Sequence, residues 1–139
     1  MRFAHHDLEG EIPDAWWREA DMTDFVPKTK CYRAKPSDKG ESFEVAIVNV
    51  APLHERKPPL FRDDKEKGIC ARERVVKILR GFVLDEAIPP VGVWEAQGGE
   101  HPYKLTHGAH RFYCSVAAGF THVPAVKRPG WDQVLRVID

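Results

Sequence analysis

The sequence predicts a small α/β domain, a mixed sheet with flanking helices, and three observations carry the prediction. Residues 43–50 are rich in β-branched side chains and are bounded by Gly40 and Pro52, the pattern of a largely buried strand. Val75, Ile78, Leu79 and Phe82 recur at i, i+3, i+4 and i+7, which draws one apolar stripe along a helix opposite Arg72, Glu73, Lys77 and Arg80. Beyond that helix, short strand-like runs alternate with glycine turns and a second helical segment.

In chain order, residues 1–40 read as an N-terminal extension packed on a core domain that spans 41–139. His5 and His6 are assigned to a mobile terminus. Residues 13–20 form a short helix, with Ile12 and Trp16 or Trp17 supplying apolar area at helical spacing. The adjacent tryptophans either pack on the core or present a surface to a protein partner. Residues 28–40 are charged and end in Pro36-Ser37-Asp38-Lys39-Gly40, a turn composition. After the first core strand, Pro58 and Pro59 break an irregular basic loop around His54-Glu55-Arg56-Lys57.

Regular structure resumes near Cys70 with the amphipathic helix. Pro89-Pro90 then leads into a short strand at Val91-Gly92-Val93-Trp94, and Gln97-Gly98-Gly99 turns the chain towards a second strand at Tyr103-Lys104-Leu105. Thr106-His107-Gly108 opens a helix in which Phe112 and Val116, and Tyr113 and Ala117, lie four apart, with Gly119 as its stop. Val123-Pro124-Ala125-Val126 reads as a last strand whose proline favours a sheet edge, and residues 131–138 as a terminal helix or tail.

Composition limits the functions. A chain of 139 residues suits one domain, which buries roughly 68–70% of the surface of its unfolded chain. The 21 basic and 21 acidic side chains cancel, so no overall field draws the protein to nucleic acid or to an acidic membrane, and any anion site is local. Cys31, Cys70 and Cys114 are odd in number, widely spaced and without a CxxC pair, which fits a reducing compartment, the cytoplasm by default. No apolar run has the length of a signal peptide core or a membrane span.

The chemistry concentrates at His107-Gly108-Ala109-His110-Arg111. A strand that ends in a glycine turn and opens a helix leaves the first helical N–H groups without intrahelical partners, which makes an anion site. Gly108 allows close approach to the backbone, Arg111 offers a two-pronged guanidinium, and His110 adds a donor. An arginine in a first helical turn is otherwise an ordinary solvated residue. His101, His107 and His110 invite a metal, but no HExxH pattern or cysteine pair completes a ligand set.

The neighbouring residues add a resemblance. Pro89-Pro90-Val91 with Trp94, Ala96-Gln97-Gly98-Gly99, Tyr103, Gly108-Ala109-His110-Arg111-Phe112, Gly119 and Val123-Pro124-Ala125 together resemble the ParB/sulfiredoxin superfamily over residues 43–128. In sulfiredoxins a similar Pro-Pro strand, Gln-Gly-Gly loop and Gly-Cys-His-Arg turn build an ATP site; in ParB proteins a related Gly-x-x-Arg turn belongs to a CTP site. The resemblance implies a nucleoside triphosphate, ATP before CTP and with or without Mg²⁺. Gly108, His110 and Arg111 would lie at its phosphates, and Arg74 and Lys77 of the preceding helix would face them.

The sulfiredoxin nucleophile stands where this chain has Ala109, which cannot form a thiol-linked intermediate, and Cys114 reads as a small core residue. A sulfiredoxin-type reductase is therefore not expected. Nor is chromosome partition, because only a short tail follows the last strand. Phosphotransfer or ATP hydrolysis survives both departures, with Glu55 as the candidate base and Arg56 as a phosphate contact; Asp63-Asp64 could bind Mg²⁺ but reads more readily as a surface or helix-approach pair, so no metal ligands are assigned. The competing expectations are a non-enzymatic nucleotide sensor, a protein-binding module working through Trp16 and Trp17, and, weakest, a DNA-related ParB-like activity.

Overall fold

The computed structural model describes residues 1–53, 61 and 70–128, and within them it forms a mixed α/β fold with two sheets and three α-helices. The chain begins with an antiparallel hairpin, β1 (Arg2–His5) and β2 (Leu8–Glu11), followed by the short helix α1 (Asp14–Glu19). Residues 21–42 carry no helix or strand, only an isolated bridge from Ala34 to Ile88. Then come β3 (Phe43–Ala46), α2 (Ala71–Val83), β4 (Val91–Glu95), β5 (Tyr103–His107), α3 (Ala109–Ala118) and β6 (His122–Lys127).

The four-stranded sheet has the order β3-β6-β4-β5, with β6 antiparallel to β3 and parallel to β4, and β4 antiparallel to β5. Its edges curl towards each other. Just past β3, Val50 bridges Tyr103 of β5, the Ala51 N–H donates to the Tyr103 carbonyl at 2.9 Å, and the Phe43 and Tyr103 rings lie 6.1 Å apart. The apolar stripe of α2 packs as the sequence predicts, with Val75, Ile78, Leu79 and Phe82 buried. On α3, Phe112, Tyr113 and Cys114 are fully enclosed. No helix of the described residues is long and apolar enough to cross a membrane.

Three expectations are corrected. The run at 43–50 is not one strand: it leaves the sheet after Ala46 and makes a 3-10 turn at Ile47–Asn49, where the Val50 N–H donates to the Ile47 carbonyl at 3.1 Å. In a 3-10 turn residues three apart share a face, so Ile47 and Val50 both reach the core while Val48 stays 66% exposed. A continuous strand would have put Ile47 and Val50 on opposite faces.

The N-terminus is not a mobile tail, because His5 is part of β1 and buried. Its ring packs edge-on against Phe112 of α3 at 5.1 Å, and its Nε2–H donates to the Val50 carbonyl at 2.6 Å. His6 is exposed at the hairpin turn, and its Nε2–H donates to the Val48 carbonyl at 2.8 Å.

The third correction concerns β6, which lies inside the sheet despite Pro124. The Arg128 N–H donates to the Val93 carbonyl at 2.8 Å, so by the alternation of a parallel ladder residues 126 and 124 also turn their nitrogens towards β4. The β4–β6 pairing begins at Val91 with Ala125, so the missing N–H of Pro124 falls at the end of the ladder, opposite Pro89. A proline is tolerated there because other donors serve the carbonyl it leaves unpaired.

Candidate functional site

Those donors are Tyr32 and Arg111. The Tyr32 hydroxyl donates to the Pro89 carbonyl at 2.6 Å, and Nη1 of Arg111 donates to Pro89 O at 2.9 Å and to Pro90 O at 3.0 Å. Burial pushes the Tyr32 phenol far above its ordinary pKa, against the pull of the Arg111 charge, so it remains a neutral donor. Arg111 is half-buried and does not project into solvent, as an ordinary first-turn arginine would.

The turn before α3 is shaped around this guanidinium. β5 ends at His107, Gly108 takes the left-handed conformation with φ +87°, and α3 starts at Ala109. The first helical bond runs from the Phe112 N–H to the Gly108 carbonyl at 2.9 Å, which leaves the amides of Ala109, His110 and Arg111 ahead of the ladder. A Cβ at position 108 would sit 3.0 Å from Arg111 Nη2, 3.1 Å from its Nε and 3.1 Å from a Val91 methyl. Gly108 is thus needed both for its backbone and because Arg111 folds back over it. Ala109 is buried, with its methyl in the core cluster.

The same helix holds both described flanks of the 54–60 stretch. The Leu53 N–H donates to the Tyr113 hydroxyl at 3.1 Å, and the ring of Phe61 lies edge-on to His110 at 5.8 Å. Phe61 also stacks edge-on with Phe3 of the hairpin at 5.5 Å. Glu55, Arg56, Asp63 and Asp64 lie outside the described residues, as does the predicted tail at 131–138.

Arg74 and Lys77 are exposed on α2. At 100° per residue they occupy the flank opposite Arg72, which pairs with Glu19 of α1 at 2.9 Å. Trp17 is buried and Trp16 half-buried, both against the core. Cys114 is completely enclosed, and burial pushes its thiol far above the ordinary range, so it is no nucleophile. The His101 ring lies tilted against that of His6 at 4.4 Å, and His107 is exposed at the end of β5. Among the described residues no group of three or more His, Cys, Asp or Glu is arranged to hold a metal.

Sequence reasoning missed Tyr32, Tyr113 and the carbonyl pair of Pro89 and Pro90. A signal for the carbonyls was present: two prolines before one strand and a third in its neighbour remove donors at one corner of a sheet, and something has to supply them. Chemically, the start of α3 joins three helical amides, a guanidinium whose orientation is fixed by two carbonyls, and the His110 imidazole. That set is suited to a tetrahedral oxyanion. No family model matches the chain, and no curated protein matches it either.

Proposed function

We propose that the chain binds a nucleoside triphosphate, ATP in preference to CTP, with its phosphates against the first turn of α3. The observation that carries this reading is the arrangement of Gly108 and Arg111. A left-handed glycine starts the helix, and the guanidinium folded over it is already ordered, so little side-chain entropy remains to be lost when an anion arrives. The hydrogen bonds of Arg111 to two neutral carbonyls leave its positive charge uncompensated among the described residues. The ParB/sulfiredoxin resemblance supplies the nucleotide, and the Gln97-Gly98-Gly99 and His110-Arg111 pairing favours ATP.

The contacts of Leu53 and Phe61 with α3 add support for a reaction, because Glu55 and Arg56 stand two and three residues after Leu53 in the chain. In this reading Glu55 is the base of a phosphotransferase or ATPase, Mg²⁺ accompanies the nucleotide, and Arg74 and Lys77 contribute charge from α2. Isothermal titration with ATP, CTP and Mg²⁺ is the test. Expected are binding to the wild-type chain and a loss of about tenfold or more in Arg111→Ala and His110→Ala, from the removal of charge-assisted and neutral hydrogen bonds. Silence at millimolar nucleotide, or full affinity in an Arg111→Ala protein that melts cooperatively, removes the proposal. Phosphate release by wild type against Glu55→Gln then separates an enzyme from a sensor.

A further inference from the structure

A second feature lies beyond the C-terminal end of α3. Residues 21–33, the last turn of α2 with the residues after it, and Phe120 enclose a groove of about 620 Å³. Its floor is aromatic: Phe82 stacks on Tyr32 at 5.6 Å and on Phe25 at 6.4 Å, and meets Phe120 edge-on at 5.2 Å. Its rim exposes apolar side chains, with Val26 at 72% and Val83 at 37%, and the neighbouring Leu84 at 58%. These are three of the five exposed large hydrophobic residues among those described.

The wall formed by residues 21–33 lacks regular structure but is firmly attached. The Thr121 and His122 amides donate to the Lys30 carbonyl at 3.1 and 2.9 Å, the Ile88 amide donates to Arg33 O at 2.9 Å, and Tyr32 anchors to Pro89. Long stretches without helix or strand inside a compact fold are commonly binding segments, and one held in place binds at a lower entropic cost. The charge of the lining is one-sided. Asp21, Asp24, Asp85 and Glu86 face only Lys28 and Arg33, an excess of two negative charges in a chain whose net charge is zero. The Arg33–Asp85 pair is long, at 3.5 Å and with both side chains exposed, so it neutralises little.

We propose that this groove docks a basic segment of a partner protein, an apolar side chain seated on the Phe25–Phe82 floor between flanking lysines or arginines that meet the acidic rim. Charge complementarity selects the partner, and the exposed Val26 and Val83, with Leu84 beside them in sequence, favour an extended peptide over a small cation, since the two valines line the groove outside the aromatic floor. The groove shares Tyr32 with the Pro89 corner but none of Gly108, His110 or Arg111, so its failure would leave the nucleotide reading untouched.

The test is fluorescence polarisation with the full chain and a labelled peptide, Lys-Lys-Leu-Leu-Phe-Lys-Arg. Two companion peptides replace its basic residues by Glu or its apolar residues by Ser. The basic apolar peptide is expected to bind, to weaken as salt rises, and to lose about tenfold in Asp24→Lys/Glu86→Lys, while a Glu73→Lys control, exposed in the first turn of α2 and outside the groove, keeps its affinity. Circular dichroism checks that each variant is folded, and Val26→Ser, which leaves the charges alone, should weaken binding independently. Equal binding of the Glu peptide or the Ser peptide overturns the proposal, as does an unchanged affinity in both variants. Spermine binding with the same dependence on Asp24 and Glu86 as the peptide would assign the groove to small polyamines instead. Self-association of the wild-type chain that the double variant abolishes would assign it to a second copy.

Discussion

α3 is closed at both ends by a glycine in the left-handed region, Gly108 at φ +87° and Gly119 at φ +94°, yet the two positions impose different demands. A Cβ at Gly119 would meet only the Pro27 ring at 3.6 and 3.7 Å, an ordinary contact. A Cβ at Gly108 would press into the Arg111 guanidinium and a Val91 methyl at 3.0 to 3.1 Å. Gly119 ends a helix, as many glycines do. Gly108 starts one and also makes room for a charged side chain that completes the hydrogen bonding of a neighbouring strand. Glycine and arginine three residues apart thus form a structural unit, and any anion bound there would use a guanidinium that the fold already holds.

The largest effect is therefore expected from Gly108→Ala. Left-handed strain and crowding together should cost about 2–4 kcal/mol, read as a shift of the urea midpoint at constant m. Gly119→Ala carries the strain alone and should cost about 1–2 kcal/mol. If the two substitutions cost the same, the proposed difference between the helix ends is wrong. Arg111→Lys falls between these two, at about 2 kcal/mol, because a lysine keeps the charge but does not reproduce the planar fork that serves two carbonyls. An Arg111→Lys protein as stable as wild type would show that charge alone is what the site needs.

Tyr32→Phe tests the same corner from outside the helix. Removing the hydroxyl takes one of two donors from Pro89 O, and the expected loss is about 1 kcal/mol because Arg111 still serves that carbonyl. The double variant Tyr32→Phe/Arg111→Lys should exceed the sum of the singles, since it leaves the carbonyl beside Pro124 without a strong donor. Strict additivity in a double-mutant cycle would mean that the two donors do not share the task.

What could be read in the sequence follows from the range of the interactions involved. α2, α3, the glycine bounds of α3 and the β4–β5 pair are set by local periodicity and turn chemistry, and they stand where the pattern places them. The hairpin β1–β2 was not legible, because Arg-Phe-Ala-His and Leu-Glu-Gly-Glu are short and only weakly apolar. Their place depends on Phe3 and His5 meeting Tyr113 and Phe112 more than a hundred residues away. The end of β3 at Ala46 was hidden for a similar reason: Val48 has a strand propensity that the need to bury both Ile47 and Val50 overrides. At the site, Gly108 and Arg111 were identifiable as residues, but their mutual contact was not. It becomes evident only when the missing N–H of Pro124 is set against the carbonyl of Pro89.

The smallest expected effect distinguishes the two ends of α3 by acid. His5 packs on Phe112 and Tyr113, near the helix start, and burial lowers its pKa from the ordinary 6.5, partly offset by its bond to the Val50 carbonyl. His6 and His101 oppose its protonation further, while Asp7 favours it. The unfolded chain therefore takes up this proton at higher pH than the folded one. The contribution to stability is complete above pH 6.5 and is lost as pH falls from there through the lower folded value. Hydrogen exchange measured between neutral pH and mildly acidic pH, corrected for intrinsic rates, should show protection falling at Tyr113 and Cys114 before it falls at Phe120, which faces the groove. His5→Gln should flatten that difference, because its amide can donate to Val50 without titrating. Uniform loss of protection along α3, with or without His5, would mean that acid acts on the whole fold and that the hairpin does not separately secure the helix start.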